Sequence, residues 1–148
     1  MRIVGLIVAL ALAGSVATAA ALGGGGSPYP RHGALHATKD CTDYSGQADG
    51  HCTIVTSNLK AIPPGSRVVY LQPPGTSSLD SDIVLVVGPG NIAIGHVTLE
   101  FATGLGTVTF SGGTGQFANF HAKVVVSSIG GNLWAWDGTY SFDSHGDR

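Results

Sequence analysis

Charge is scarce in this chain. Charged residues make up 11% of its 148 positions, less than half the share of an ordinary globular domain. Glutamate occurs once, as Glu100, and lysine three times. The formal net charge is −2 with no cluster of basic residues, which excludes the electrostatic footprint of a nucleic-acid-binding protein. The good helix formers Glu, Lys and Met are depleted while Gly reaches 23, and no segment has a 3.6-residue apolar period. An all-helical fold is excluded with them. GxSxG, HExxH and CxxC are all missing, and so is any flavin or nicotinamide fingerprint. The sequence therefore offers no ready-made catalytic motif and calls for no cofactor.

What is present begins with MRIVGLIVALALAGSVATA, in which Arg2 precedes an apolar run and Ala17-Thr18-Ala19 forms an A-x-A site. This is the layout of a secretory signal peptide cut after Ala19. A membrane anchor is the competing reading. Small residues in the second half and the lack of a basic stop favour cleavage, so no stable membrane anchor is expected afterwards. The mature chain of about 125 residues suits one domain with its own core. Its net charge would be about −3. Residues 20–36 are rich in Gly and Pro and read as a flexible leader, leaving 37–148 as the domain. Cys41 and Cys52 are the only cysteines. In an exported chain an even pair reads as a disulfide. A metal site shared with His51 would lack its fourth ligand.

From Cys52 onward, strand signals alternate with turn punctuation. Strands are expected over 52–58, 67–72, 82–87, 91–101, 105–111, 117–128 and 132–142, with an eighth near 36–46. Breaks such as PPGS, GPG, ATG and GGTG separate them. Many short antiparallel strands with short links indicate a closed barrel or a sandwich. In NIAIGHVTLEF, residues Ala93, Val97 and Leu99 share one face, and His96, Thr98 and Glu100 the other. A two-residue turn at Thr103-Gly104 pairs Leu99 with Val108. A three-residue turn at 113–115 pairs Val108 with Phe120. That register aligns Glu100, Thr107 and His121 in one polar row and Thr98, Thr109 and Asn119 in the next.

GGTGQFANFHA (112–122) resembles the glycine-rich turn and following strand of dirigent proteins. More broadly, residues 52–142 resemble the allene oxide cyclase-like barrel superfamily. The resemblance implies a single eight-stranded antiparallel β-barrel, often trimeric, whose cavity takes a small apolar compound. It places Gln116 and His121 where that family carries arginines. GGTGQF is no phosphate loop, because no lysine follows it and the next element is a strand.

Three candidate sites follow. Glu100 beside His121 could set the imidazole tautomer and pKa for acid–base work, and Asp82, entering a strand beside Asp80, could stabilise positive charge at a barrel mouth. A pocket could be lined by Tyr70, Thr107, Asn119, Trp134, Trp136 and Tyr140. His96 and His121 as a metal pair would need a third ligand, so no metal is expected. Two orientations stay open: the His121 face looks into the barrel, or the apolar face fills the barrel and His121 lies outside. The expected role is a secreted barrel that binds a small hydrophobic molecule and orients a reactive intermediate without a redox centre. A cofactor-free cyclase or isomerase and a noncatalytic surface module are the alternatives. Both ligand-handling readings require a polar-lined cavity of about 300 Å³ or more. A barrel packed solid with Phe101, Phe110, Phe120 and valines excludes them.

Overall fold

The computed structural model describes residues 29–143, so the expected signal peptide and most of the expected leader lie outside the described residues. Eight strands run β1 (His32–Asp40), β2 (Gly50–Ser57), β3 (Arg67–Tyr70), β4 (Ser78–Gly88), β5 (Asn91–Glu100), β6 (Leu105–Thr114), β7 (Phe120–Gly130) and β8 (Leu133–Phe142). They pair in sequence order, and β1 pairs with β8, so the sheet closes into a barrel. Every pairing is antiparallel. β1 starts at His32, inside the stretch read as leader, and supplies the eighth strand.

Alternation decides which face is inside. Ala93, Val97 and Leu99 of β5, Val108 and Phe110 of β6, and Ala122, Val124 and Val126 of β7 are buried. The residues between them, including His96, Glu100 and His121, are exposed. Apolar side chains thus fill the barrel, and His121 lies on its outer wall. Face parity follows the sequence reading, but the register does not. Glu100 opposes Leu105, Thr98 opposes Thr107, and Gly95 opposes Phe110. The β5–β6 connection is a wider loop through 101–104, closed by Gly104 N–H donating to the Glu100 carbonyl (2.9 Å). β6 then continues to Thr114, and a 3-10 turn, Gly115–Phe117, separates it from β7. Ser111, not Thr107, consequently faces His121. The expected rows Glu100–Thr107–His121 and Thr98–Thr109–Asn119 do not form.

Two glycines are demanded by geometry. Gly115 has φ +60°, and a Cβ there would sit 2.3 Å from the Gly90 carbonyl oxygen, which accounts for the last glycine of GGTG as turn geometry. Gly138, in the interior of β8, brings its backbone so close to β7 that a Cβ would lie 2.0 Å from the Lys123 carbonyl oxygen. Only a residue without a side chain fits where two backbones approach this closely.

The two ends of the barrel differ. At one end Phe117 packs edge to face on Phe120 at 5.2 Å between centroids, and Phe142 packs tilted on Phe120 at 5.1 Å. Phe110 joins Phe120 and Trp136 at 5.7 Å. Leu59, Ala61 and Ile62 of the β2–β3 loop are buried, and Gln116 Nε2 donates to the Ala61 carbonyl (3.3 Å), tying that loop to the β6–β7 turn. This end is closed and solid. The other end carries the β1–β2, β3–β4, β5–β6 and β7–β8 connections and is open.

Candidate active site at the barrel mouth

β1 reads HGALHATKD, and its inward positions are Leu35, Ala37 and Lys39. A lysine therefore stands in phase with the core and is only 4% exposed. It is the one charged side chain in the buried set among the described residues. Its Nζ donates a hydrogen bond to the Tyr70 hydroxyl from β3. The same nitrogen lies 5.0 Å from the centroid of the Tyr70 ring and 5.3 Å from that of Trp136 on β8. These rings offer a cation some compensation, yet no carboxylate pairs with Lys39 among the described residues. Asp40, its chain neighbour, accepts from the Thr42 backbone N–H (2.8 Å) and hydroxyl (2.5 Å).

The electrostatic result follows from burial. An ammonium removed from water without a counter-charge is disfavoured. Desolvation pushes the Lys39 pKa from 10.5 down to about 7. Desolvation also raises the Tyr70 phenol above its ordinary range, with the neighbouring Tyr44 adding to the effect. Near neutral pH the pair is therefore a neutral phenol beside an amine that has lost much of its charge.

Lys39 and Tyr70 line a cavity of about 120 Å³ that opens at the mouth. Its walls are Leu79, Val97, Leu99 and Val126, with Pro74, Phe101 and Trp134 towards the opening. The Cys41–Cys52 disulfide, Cα–Cα 4.3 Å, holds the β1–β2 loop against the rim. That loop presents Tyr44, whose ring packs on Tyr70 with centroids 5.2 Å apart. The Tyr44 hydroxyl and the Trp136 indole N–H are buried and find no hydrogen-bond partner among the described residues. The lumen is thus neither the wide polar-lined cavity nor the solid plug set out as alternatives. Phe110 and Phe120 fill the closed half, Phe101 is 43% exposed at the mouth, and a small apolar space with one amine remains between them.

The expected site residues distribute across both faces. Tyr70 and Trp134 line the cavity, and Trp136 lies beneath Lys39. Tyr140 is buried towards the closed end, against Phe142 at 5.8 Å. Thr107 faces Thr98 and Val125, and Asn119 lies in the β6–β7 connection, where its carbonyl accepts from the Asp143 N–H (2.9 Å). Neither reaches the lumen cavity. Glu100 is exposed on the outer wall opposite Ser78 and Leu105. His121 pairs through Nε2 with Asp143 (3.1 Å), not with Glu100. It borders a shallow outer depression with Ser111, Lys123 and Ser141. Asp82 and Asp80 sit within β4, facing out, and flank His96 at 2.9 and 2.5 Å. The expected pairing of Glu100 with His121 therefore does not form, because register and outward strand positions keep the two apart, and Asp82 faces outward beside His96. The described residues contain no group of three or more His, Cys, Asp or Glu that could hold a metal ion.

Lys39 was the residue that strand-by-strand reading passed over. Its signal was available: a lysine two and four positions after Ala37 and Leu35 on an alternating segment. No family model matches the chain, and comparison with curated proteins and with solved structures produced no match.

Proposed function

We propose that the protein is an exported barrel that binds a small hydrophobic compound in the mouth half of its lumen, in the manner of the dirigent-like barrels its turn resembles. The observation that carries this reading is Lys39. An apolar residue at that position would give a more stable barrel, since a buried charge without a partner weakens a fold. Destabilising polar groups concentrate where a protein handles ligands. Here Lys39 and Tyr70, joined through amine and hydroxyl, line an otherwise largely apolar cavity open to solvent, the usual composition of a small-molecule site. At about 120 Å³ the space suits a compact ligand or the end of a longer one. Leu71, Phe101, Leu105 and Leu133 are exposed at strand ends and loops on the same side and would accompany the remainder of a longer ligand.

Such a barrel contributes position and a polar anchor and leaves redox chemistry to another agent. An isomerase reading is also favoured by Lys39, because an amine titrating near neutrality is matched to proton transfer at that pH. It would run through Lys39 and Tyr70 in place of the outer-wall residues.

Trp134 and Trp136 flank the site and are the only tryptophans, so intrinsic fluorescence reads binding directly. Titration with butan-1-ol, phenol and longer alcohols is expected to give a saturable change. Leu99→Trp, which fills the cavity, is expected to abolish the site's response, while Glu100→Gln and His121→Asn leave it intact. No saturable binding to the wild-type protein, or binding that survives filling of the cavity, overturns the proposal.

A further inference from the structure

We propose that Lys39 is a covalent docking point: its amine condenses with the carbonyl carbon of a small apolar aldehyde or ketone seated in the mouth cavity, with the Tyr70 hydroxyl carrying the proton. The inference rests on the binding reading above and names its ligand class.

Three structural observations converge. Lys39 lines the cavity, and its Nζ is held from one side by the Tyr70 hydroxyl. Most of the cavity wall is apolar, so a carbonyl compound with an alkyl or aryl body meets complementary surface over most of it. Tyr44 also lines the cavity, and its hydroxyl is buried with no partner among the described residues. A carbonyl oxygen is an acceptor for it. The titratable groups around the amine are Tyr70 from β3 and Tyr44 from the β1–β2 loop, both phenols, with Asp40 held by Thr42. Desolvation, with no carboxylate paired to the amine among the described residues, lowers the pKa to about 7, so the lone pair is available near neutral pH. A nucleophilic lysine is activated in this way by an apolar pocket.

The chemistry balances without a further reagent. The Nζ lone pair adds to the carbonyl carbon, the C=O π pair moves to oxygen, and that oxygen gains a proton as nitrogen loses one. Tyr70 can give its proton to the oxygen and take one from Nζ, ending unchanged. The carbinolamine then expels its hydroxyl as water with the second Nζ proton, leaving a C=N bond. Amine and carbonyl become imine and water, and nothing is oxidised or reduced.

The chain supplies its own controls, because its other lysines, Lys60 and Lys123, are exposed. The mature protein is incubated with butanal and sodium cyanoborohydride at pH 7, and the reduced adducts are located by peptide mass mapping. A nucleophilic amine held in an apolar pocket beside a bound aldehyde reacts ahead of one in open solvent, so alkylation of Lys39 is expected to outpace Lys60 and Lys123 by about 10-fold or more. Tyr70→Phe is expected to slow adduct formation at Lys39, and Lys39→Met to abolish the fast phase. Modification of Lys39 no faster than Lys60 overturns the proposal. So does saturable binding of butanoate that exceeds that of butanal with no trapped adduct, which would make the site an ion-pairing one. Wild-type protein that binds butan-1-ol but forms no Lys39 adduct sinks the imine alone. Protein that binds neither sinks the binding reading with it.

Discussion

Replacing Lys39 with methionine keeps the length of the side chain and removes its charge, and the consequence depends on pH in a calculable way. In the folded barrel the amine titrates near 7, against 10.5 for the free side chain. Between those values the unfolded chain binds a proton that the folded chain does not, so stability rises with pH across that interval. Below pH 7 the penalty is complete, and above about 10.5 it vanishes. Linkage puts it at about 4 kcal/mol at pH 7, falling by about 2 kcal/mol on going to pH 9. The methionine variant lacks this slope. At pH 7 it should also be the more stable protein, by about 1–3 kcal/mol once the loss of a partner for the buried Tyr70 hydroxyl is set against the removed charge. Urea unfolding of both proteins between about pH 6 and 9.5, followed by tryptophan fluorescence, gives the difference directly. Titrations common to both, His96 among them, cancel. Wild-type and variant curves that run parallel over this range would refute the argument, because they would place the Lys39 titration elsewhere.

Three further outcomes follow from the geometry. Removing the disulfide by Cys41→Ala with Cys52→Ala opens a loop of sequence separation 11 and should lower stability by about 3 kcal/mol. It should also weaken ligand binding, since both cysteines border the cavity; an unfolding midpoint unchanged from wild type would contradict this. Gly138→Ala should cost about 3 kcal/mol, because its Cβ meets the β7 backbone at 2.0 Å and backbone yields little. Gly88→Ala, which meets nothing within 4 Å, is the control that should be near neutral by thermal melting. His96 should titrate above its ordinary 6.5, raised first by the hydrogen bond to Asp82, against desolvation, and further by Asp80. The stabilisation it brings is present at acid pH and fades as pH rises through the raised value, and solvent exposure keeps it small. An NMR titration in which Asp82→Asn fails to lower the His96 midpoint would count against that pairing.

The closed barrel was legible from alternation and punctuation. NIAIGHVTLEF and the turns ATG and GGTG carry enough two-residue periodicity to assign strand faces, because burying one face penalises any odd-numbered slip. Even-numbered slips escape that penalty. The β5–β6 loop proved wider than a tight Thr103-Gly104 turn, and β6 extended to Thr114, so apolar residues stayed inside while every cross-strand partner changed. A polar row assembled from three strands depends on that register, and Glu100, Thr107 and His121 came apart with it. Lys39 was obscure for a different reason. Its strand begins in a stretch whose glycines and prolines suggest a leader, and β1 pairs along its whole length with β8, about a hundred positions later in the chain. Local patterns carry no trace of a partner so distant, so the eighth strand was expected near 36–46, several residues late, and its lysine was not set in phase with Leu35 and Ala37.

Closure of β1 on β8 also determines how the protein can be held. His32 opposes Ser141, the Phe142 N–H donates to the Arg31 carbonyl (2.6 Å), and the Tyr29 ring stacks on Phe142 at 6.3 Å. Tyr29 and Asp143 thus leave the barrel side by side, at the sealed end. A tether joined before the one or after the other grips the molecule by its base, like the stem of a cup, and the amine-bearing mouth points away from whatever surface the tether is fixed to.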